Sequence, residues 1–160
     1  VTRPGPTRDA VARSIATIAQ QRGIVVTVAE SLTGGALAQA LAKAPDAGDW
    51  FAGGVVAYRP ATKFDVLAVP EGPVVTAATA RAMARGVAAL TGAEAAVAVD
   101  RAGGPGPEEG EPAGTVYVCA LVRTTENAAR HDFVGDPDRV VEQTVLEALR
   151  LLERLLRTSA

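Results

Sequence analysis

Apolar positions along this chain switch repeatedly between helical spacing and unbroken β-branched runs. From Thr7 to Arg22, Ala12, Ile15, Ile18 and Ala19 recur at helical spacing, and Gly23 predicts the stop. Ile24-Val25-Val26-Thr27-Val28 is wholly β-branched, as suits a strand buried on both faces. It leads into Glu30-Ser31-Leu32-Thr33-Gly34-Gly35 and an Ala/Leu helix to about Ala44, broken by Pro45-Asp46-Ala47-Gly48. A second strand is predicted over Gly53–Tyr58, a short helix over Ala61–Val69, and a longer helix from the Thr76 N-cap to about Leu90, ended by Gly92.

The second half continues the alternation. Ala95–Val99 predicts a third buried strand, followed by a glycine- and proline-rich loop over 100–113. Thr115–Val122 predicts a fourth strand and residues 128–134 a fifth, joined through Thr124–Asn127. So short a connection suits an antiparallel pair, which makes the sheet mixed. Asp136-Pro137 opens a last amphipathic helix to about Arg157, with Val141, Val145, Leu149, Leu152 and Leu156 on its inner face. The expectation is an α/β protein, a three-layer α/β/α sandwich with a mixed five-stranded sheet. Residues 1–6 are expected to be a disordered lead, and 7–158 a single domain without internal repeats.

Composition narrows the chemistry. The 160 residues are 48% hydrophobic and 21% charged, enough apolar surface for a proper core. Sixteen Lys and Arg against eighteen Asp and Glu leave a net charge of −2, which argues against nucleic acid as a partner. One cysteine and one histidine, His131, exclude a disulfide framework, the usual zinc sites and most histidine-based catalysis. No apolar run reaches the ~18 residues of a membrane span, and the N-terminus has no signal-peptide core. A soluble cytoplasmic domain with no membrane partner is the expectation.

Three segments sit where strand ends meet helix starts, the places ligands favour in α/β sheets. The first is Glu30–Gly35, whose glycines let the backbone approach a ligand; Ser31 there is either a helix N-cap or a nucleophile. The second is Gly53–Tyr58 with Lys63 beyond it. A serine attacking an amide needs a base, and lysine serves where its surroundings favour the neutral amine; otherwise Lys63 is a solvated helix residue. The third is the loop from Asp100 to Pro107. No G-x-G-x-x-G joins the first strand to its helix, so a dinucleotide site is a poor fit. Cys119, mid-strand, reads as core.

Together and in order, these segments resemble the CinA C-terminal domain family, whose active members are nicotinamide mononucleotide (NMN) deamidases of the PncC type. The resemblance runs from about Val11 to Leu155. It rests on Thr27-Val-Ala-Glu-Ser-Leu-Thr-Gly-Gly35, Gly54-Val-Val-Ala-Tyr58, Lys63 at the matching spacing, Gly104-Pro105, Pro112-Ala-Gly-Thr-Val-Tyr117 and Gly135-Asp136. It implies hydrolysis of the NMN carboxamide to nicotinic acid mononucleotide and ammonia, with no metal or organic cofactor. It further implies Ser31 as nucleophile, Lys63 as general base and then acid, and Tyr58 assisting the proton transfer. Glu30, Thr33, Gly34, Gly35, Asp100, Arg101 and Gly104 fall at substrate-binding positions, and a small-molecule pyridine nucleotide and a homo-oligomer are the implied partners.

Four departures keep a second reading open, a degenerate domain that binds a nucleotide or protein without turnover. Leu32 stands where the family usually has cysteine, and Asp100-Arg101 replaces a Thr/Ser-Gly pair. Val141 occupies a position where active members tend to carry an arginine suited to phosphate, and Pro137 replaces the arginine of the Gly-Asp-Arg turn. Arg139 lies roughly 200° from Val141 around the helix and cannot substitute for it. Arg101 is therefore expected to supply the missing cation, with Asp100 paired to Arg101 rather than to Lys63.

Overall fold

The computed structural model describes residues 2–101 and 110–160. Its elements are α1 (Arg8–Arg22), β1 (Val26–Glu30), α2 (Ala36–Ala42), α3 (Ala47–Trp50), β2 (Phe51–Val56), α4 (Pro60–Leu67), α5 (Ala77–Thr91), β3 (Ala95–Arg101), β4 (Thr115–Val122), β5 (Thr125–Asp132) and α6 (Pro137–Thr158). The strands form one mixed sheet in the order β2-β1-β3-β4-β5. β1 is parallel to both β2 and β3, whereas β3, β4 and β5 pair antiparallel. This is the three-layer α/β/α sandwich the alternation predicts.

Strand alternation divides the core in two. Val26, Val28, Val97, Val99, Val116 and Val118 point to one face, where α1, α2 and α6 cover them. Ala29, Ala96, Ala98, Cys119 and Leu121 point to the other, under α4 and α5. The alanines on that second face let its helices come close. An ideal Cβ on Gly86 of α5 would lie 1.9 Å from the Leu67 carbonyl oxygen at the end of α4, so only glycine fits at this contact. The position of α4 is thereby set by backbone contact with α5.

Several boundaries differ from the sequence expectation. β1 begins and ends two residues later than predicted and carries Glu30 inside the sheet, because Ile24 and Val25 are spent leaving the Gly23 cap. β2 covers Phe51–Val56 rather than Gly53–Tyr58, so Tyr58 lies beyond the strand. β3 extends through Asp100 and Arg101, which pair with Tyr117 and Val116; these two residues belong to the sheet and not to the loop. β5 covers Thr125–Asp132, since the turn from β4 needs only Arg123 and Thr124. The predicted break after Ala44 instead contains the short helix α3, where Trp50 donates from Nε1 to the Pro45 carbonyl at 2.9 Å. On α6 the buried residues are Val140, Thr144, Val145, Ala148, Leu149, Leu151, Leu152, Leu155 and Leu156, with Val141 only half-buried at their edge.

Connectivity creates one switch point. From β1 the chain crosses through α2 and α3 to β2 on one side, then through α4 and α5 to β3 on the other. The two crossovers lie on opposite faces, so a crevice opens beyond the C-terminal ends of β1 and β3.

Candidate active site

Ser31 is the first residue after β1, at that crevice, and is 6% exposed. The turn that holds it is organised by its neighbour. Glu30 is fully buried; its Oε1 accepts from the Thr33 hydroxyl at 2.6 Å, from Gly35 N at 3.3 Å and from Leu37 N at 2.9 Å. Its Oε2 accepts from Ala38 N at 3.0 Å. These are the otherwise unpaired N–H groups at the start of α2. Gly34 and Gly35 take φ of +57° and +106° to turn the chain into the helix. The N-cap of α2 is Gly35, without a side-chain bond, and Ser31 caps nothing. Glu30, not Ser31, satisfies the helix start, and that leaves the Ser31 hydroxyl for other work.

Lys63 reaches the crevice from the second face. α4 begins at Pro60, pre-set for a first helical position, and turns Lys63 and Leu67 inward one turn apart. Lys63 is 3% exposed, unusual for a lysine and explained by its partner. Its Nζ donates to Asp100 Oδ1 at 2.9 Å, and Asp100 itself is fully buried. Asp100 follows Ala96 and Ala98 on the inward side of β3, which aims its carboxylate at α4.

The expected Asp100–Arg101 pairing is therefore corrected. Residues adjacent in a strand point to opposite faces, so Arg101 cannot turn its side chain onto Asp100. Arg101 contributes only its backbone N–H, 3.0 Å from Oδ1. Burial pushes the Asp100 carboxyl up to about 6, against the opposing pull of Lys63, the Arg101 N–H and the Ser31 hydroxyl. Its second oxygen, Oδ2, is buried and accepts no hydrogen bond from the described residues.

Ser31, Leu32, Tyr58, Pro60, Lys63, Val74 and Arg101 line one cavity of about 160 Å3. Tyr58, 65% exposed, stands at its rim in the segment between β2 and α4. Arg101 also lines an adjoining cavity of about 350 Å3 against Gly114, Phe133, Gly135, Asp136, Pro137 and Val140 at the start of α6. The Arg101 Nε is buried and has no hydrogen-bond partner among the described residues. Among the sequence-predicted residues, Ser31, Tyr58, Lys63 and Arg101 thus meet at one cavity, with Asp100 behind Lys63. Glu30, Thr33, Gly34 and Gly35 lie in the turn beneath Ser31 and line neither cavity; Gly104 lies outside the described residues. Leu32, Pro60 and Val74 complete the lining, and no local sequence signal marks them for it.

Elsewhere, Cys119 is buried and its thiol is pushed up to about 11 by burial, while His131 stacks on Phe133 with ring centroids 5.1 Å apart. Among the described residues no group of His, Cys, Asp and Glu is placed to hold a metal ion. Among the same residues, no helix is long and apolar enough to cross a membrane.

A mixed α/β/α sheet with a buried serine and lysine meeting at its switch point defines a class of small α/β domains with a potential nucleophile at the strand ends. The particular family is clear from comparison: the model of the CinA C-terminal domain matches residues 8–156, and the chain belongs to that family. A protein of Pseudomonas putida described as nicotinamide-nucleotide amidohydrolase PncC is 41% identical over 130 residues, 78% of this chain and 81% of that protein. A CinA-like protein of Desulfotalea psychrophila is 34% identical over 158 residues; the match takes in 95% of this chain but only 38% of that longer protein. The crystal structure of competence damage-inducible protein A from Klebsiella pneumoniae superposes with a TM-score of 0.92 at 34% identity, covering 97% of this chain and all of that one.

Proposed function

We propose that this chain is an amidohydrolase of pyridine nucleotides, cleaving the carboxamide of NMN to give nicotinic acid mononucleotide and ammonia. The observation that carries the reading is the convergence of Ser31, Lys63, Tyr58 and Arg101 on one cavity at the switch point of the sheet. The P. putida relative's description as an amidohydrolase supports the same chemistry.

Ser31 is the nucleophile in this reading. It stands free of the capping role that would otherwise explain a serine there, and its turn is braced by Glu30. The serine proton passes to the buried Lys63–Asp100 pair, and Tyr58 at the rim assists the transfer or covers the ring. The inner cavity of about 160 Å3 is below the ~300–1,000 Å3 typical of small-molecule sites, so it takes the carboxamide-bearing ring. The adjoining cavity of about 350 Å3 takes the ribose phosphate, with Arg101 between the two as the cation. No metal or organic cofactor is needed for this reaction.

One observation favours a second reading. The Lys63 ammonium is engaged by Asp100 at 2.9 Å, which ties up the group the family resemblance makes the base, as in a domain that binds without turnover. Ammonia release from NMN by the purified protein separates the two: turnover supports the amidohydrolase, whereas saturable binding with intact NMN supports the binding domain.

A further inference from the structure

We propose that Asp100 is a positioning residue that holds Lys63 as an ammonium, and that release of this pair sets the pH at which the site turns over. The proposal rests on the reading of Lys63 as the base that takes the Ser31 proton.

The bonds at Lys63 carry the argument. Its Nζ donates to Asp100 Oδ1 at 2.9 Å, with the two side chains 4% and 0% exposed. Among the described residues no hydrogen bond joins Lys63 to Ser31, although both line the same cavity. An ammonium has three donors and no lone pair, so Lys63 in this pair cannot accept a proton. Asp100 is fixed from behind. The Arg101 N–H donates to the same Oδ1 at 3.0 Å, and Asp100 is paired into the sheet opposite Tyr117.

Without that carboxylate the same place favours the neutral amine. A buried lysine with no counter-ion sheds its proton, because burial penalises the charge. The other groups facing Lys63 offer no replacement. Arg101 lines the cavity as a second cation and opposes the ammonium further, while Ser31 and Tyr58 bring only hydroxyls. The inner side of α5 presents Thr79, Ala80 and Met83, none of them charged. Tyr117 has its hydroxyl bonded to Glu111 at 3.2 Å; Asp65 on α4 and Arg59 before it are exposed. Among the described residues, Asp100 is the one carboxylate paired with Lys63.

The protons balance. In the resting pair the proton sits on Nζ, and it must pass to solvent before Lys63 can act. The amine then takes the Ser31 proton as Oγ bonds to the carboxamide carbon. It gives that proton to the nitrogen as the C–N bond breaks and ammonia leaves. Water next attacks the Ser31 ester, the amine takes its proton, and Ser31 recovers that proton as the carboxylic acid departs. Asp100 touches no reacting atom in these steps; it decides how much of the protein can begin them at a given pH.

The test follows the side-chain nitrogen of Lys63 by NMR across pH in protein carrying isotope-labelled lysine. The chain has only two lysines, and exposed Lys43 serves as the internal reference. Asp100→Asn should move the change of Lys63 from ammonium to amine down by about 1–3 pH units and leave Lys43 unmoved. Ammonia release from NMN should follow. In wild type it should still be climbing above about pH 8, and Asp100→Asn should raise it about tenfold or more near neutral pH. A merely structural Asp100 would slow the reaction at every pH without moving the profile. That result, a Lys63 signal that changes at the same pH in both proteins, or a wild-type rate level from about pH 7 upward would each overturn the proposal. Should Asp100→Asn fail to fold, Asp100→Thr takes its place and the wild-type profile still decides. A shifted Lys63 with no ammonia at any pH would uphold the pair and sink the amidohydrolase reading, so the two failures are told apart.

Discussion

The Glu30 carboxylate reaches around the turn after β1 to accept the Leu37 N–H at 2.9 Å, joining strand and helix across the residue placed to do the chemistry. With the Gly35 and Ala38 N–H groups on the same carboxylate, one buried side chain organises the whole Ser31 turn. Glu30→Gln puts an amide donor against N–H donors on one side of that cluster. It should lower unfolding free energy by about 2–3 kcal/mol in urea melts. A variant that unfolds at the wild-type midpoint would show that these bonds do not support the fold.

Gly86 tests whether α4 is placed by backbone contact. Alanine normally favours a helix over glycine by about 1 kcal/mol. Here the added methyl would sit 1.9 Å from the Leu67 carbonyl oxygen, and the two helices must part. Gly86→Ala should therefore destabilise, by about 1–3 kcal/mol net, and lower ammonia release from NMN because Lys63 rides on the same short helix. A gain in melting temperature would contradict this placement.

Asp100 also gives the fold a pH dependence of known sign. Its carboxyl lies at about 6 when folded against 3.8 for the ordinary group, so the folded state binds the proton more tightly. Its contribution to stability is fully present below about pH 3.8 and is lost as pH rises through about 6. The shift corresponds to roughly 3 kcal/mol. The stability of wild type relative to Asp100→Asn, from denaturant melts, should accordingly fall between those two pH values; a constant difference would mean that Asp100 is not desolvated.

Much of this architecture is legible in the sequence because its signals are local. β-branched runs, the Gly23 and Gly92 stops and the Thr76 and Asp136 caps place most elements to within a few residues. What escaped depends on contacts distant in the chain. Nothing local in Asp100-Arg101 marks it as strand, because its pairing partners Tyr117 and Val116 come from β4. Nor does Lys63 read as buried until α4 is seen facing Asp100, 37 positions away. From local sequence Ser31 reads first as a helix cap and only then as a nucleophile, and the bonds from Glu30 to α2 remove the cap. The alternation Ala96, Ala98, Asp100 was the one available hint that the carboxylate points inward.

The most direct test of the account is ammonia release from NMN by the purified protein, followed together with the pyridine product. The account predicts one ammonia per nicotinic acid mononucleotide. It also predicts no turnover by Ser31→Ala, with a melting temperature close to wild type because Ser31 caps no helix. Ammonia no higher than in the protein-free control, or undiminished turnover by Ser31→Ala, would contradict it.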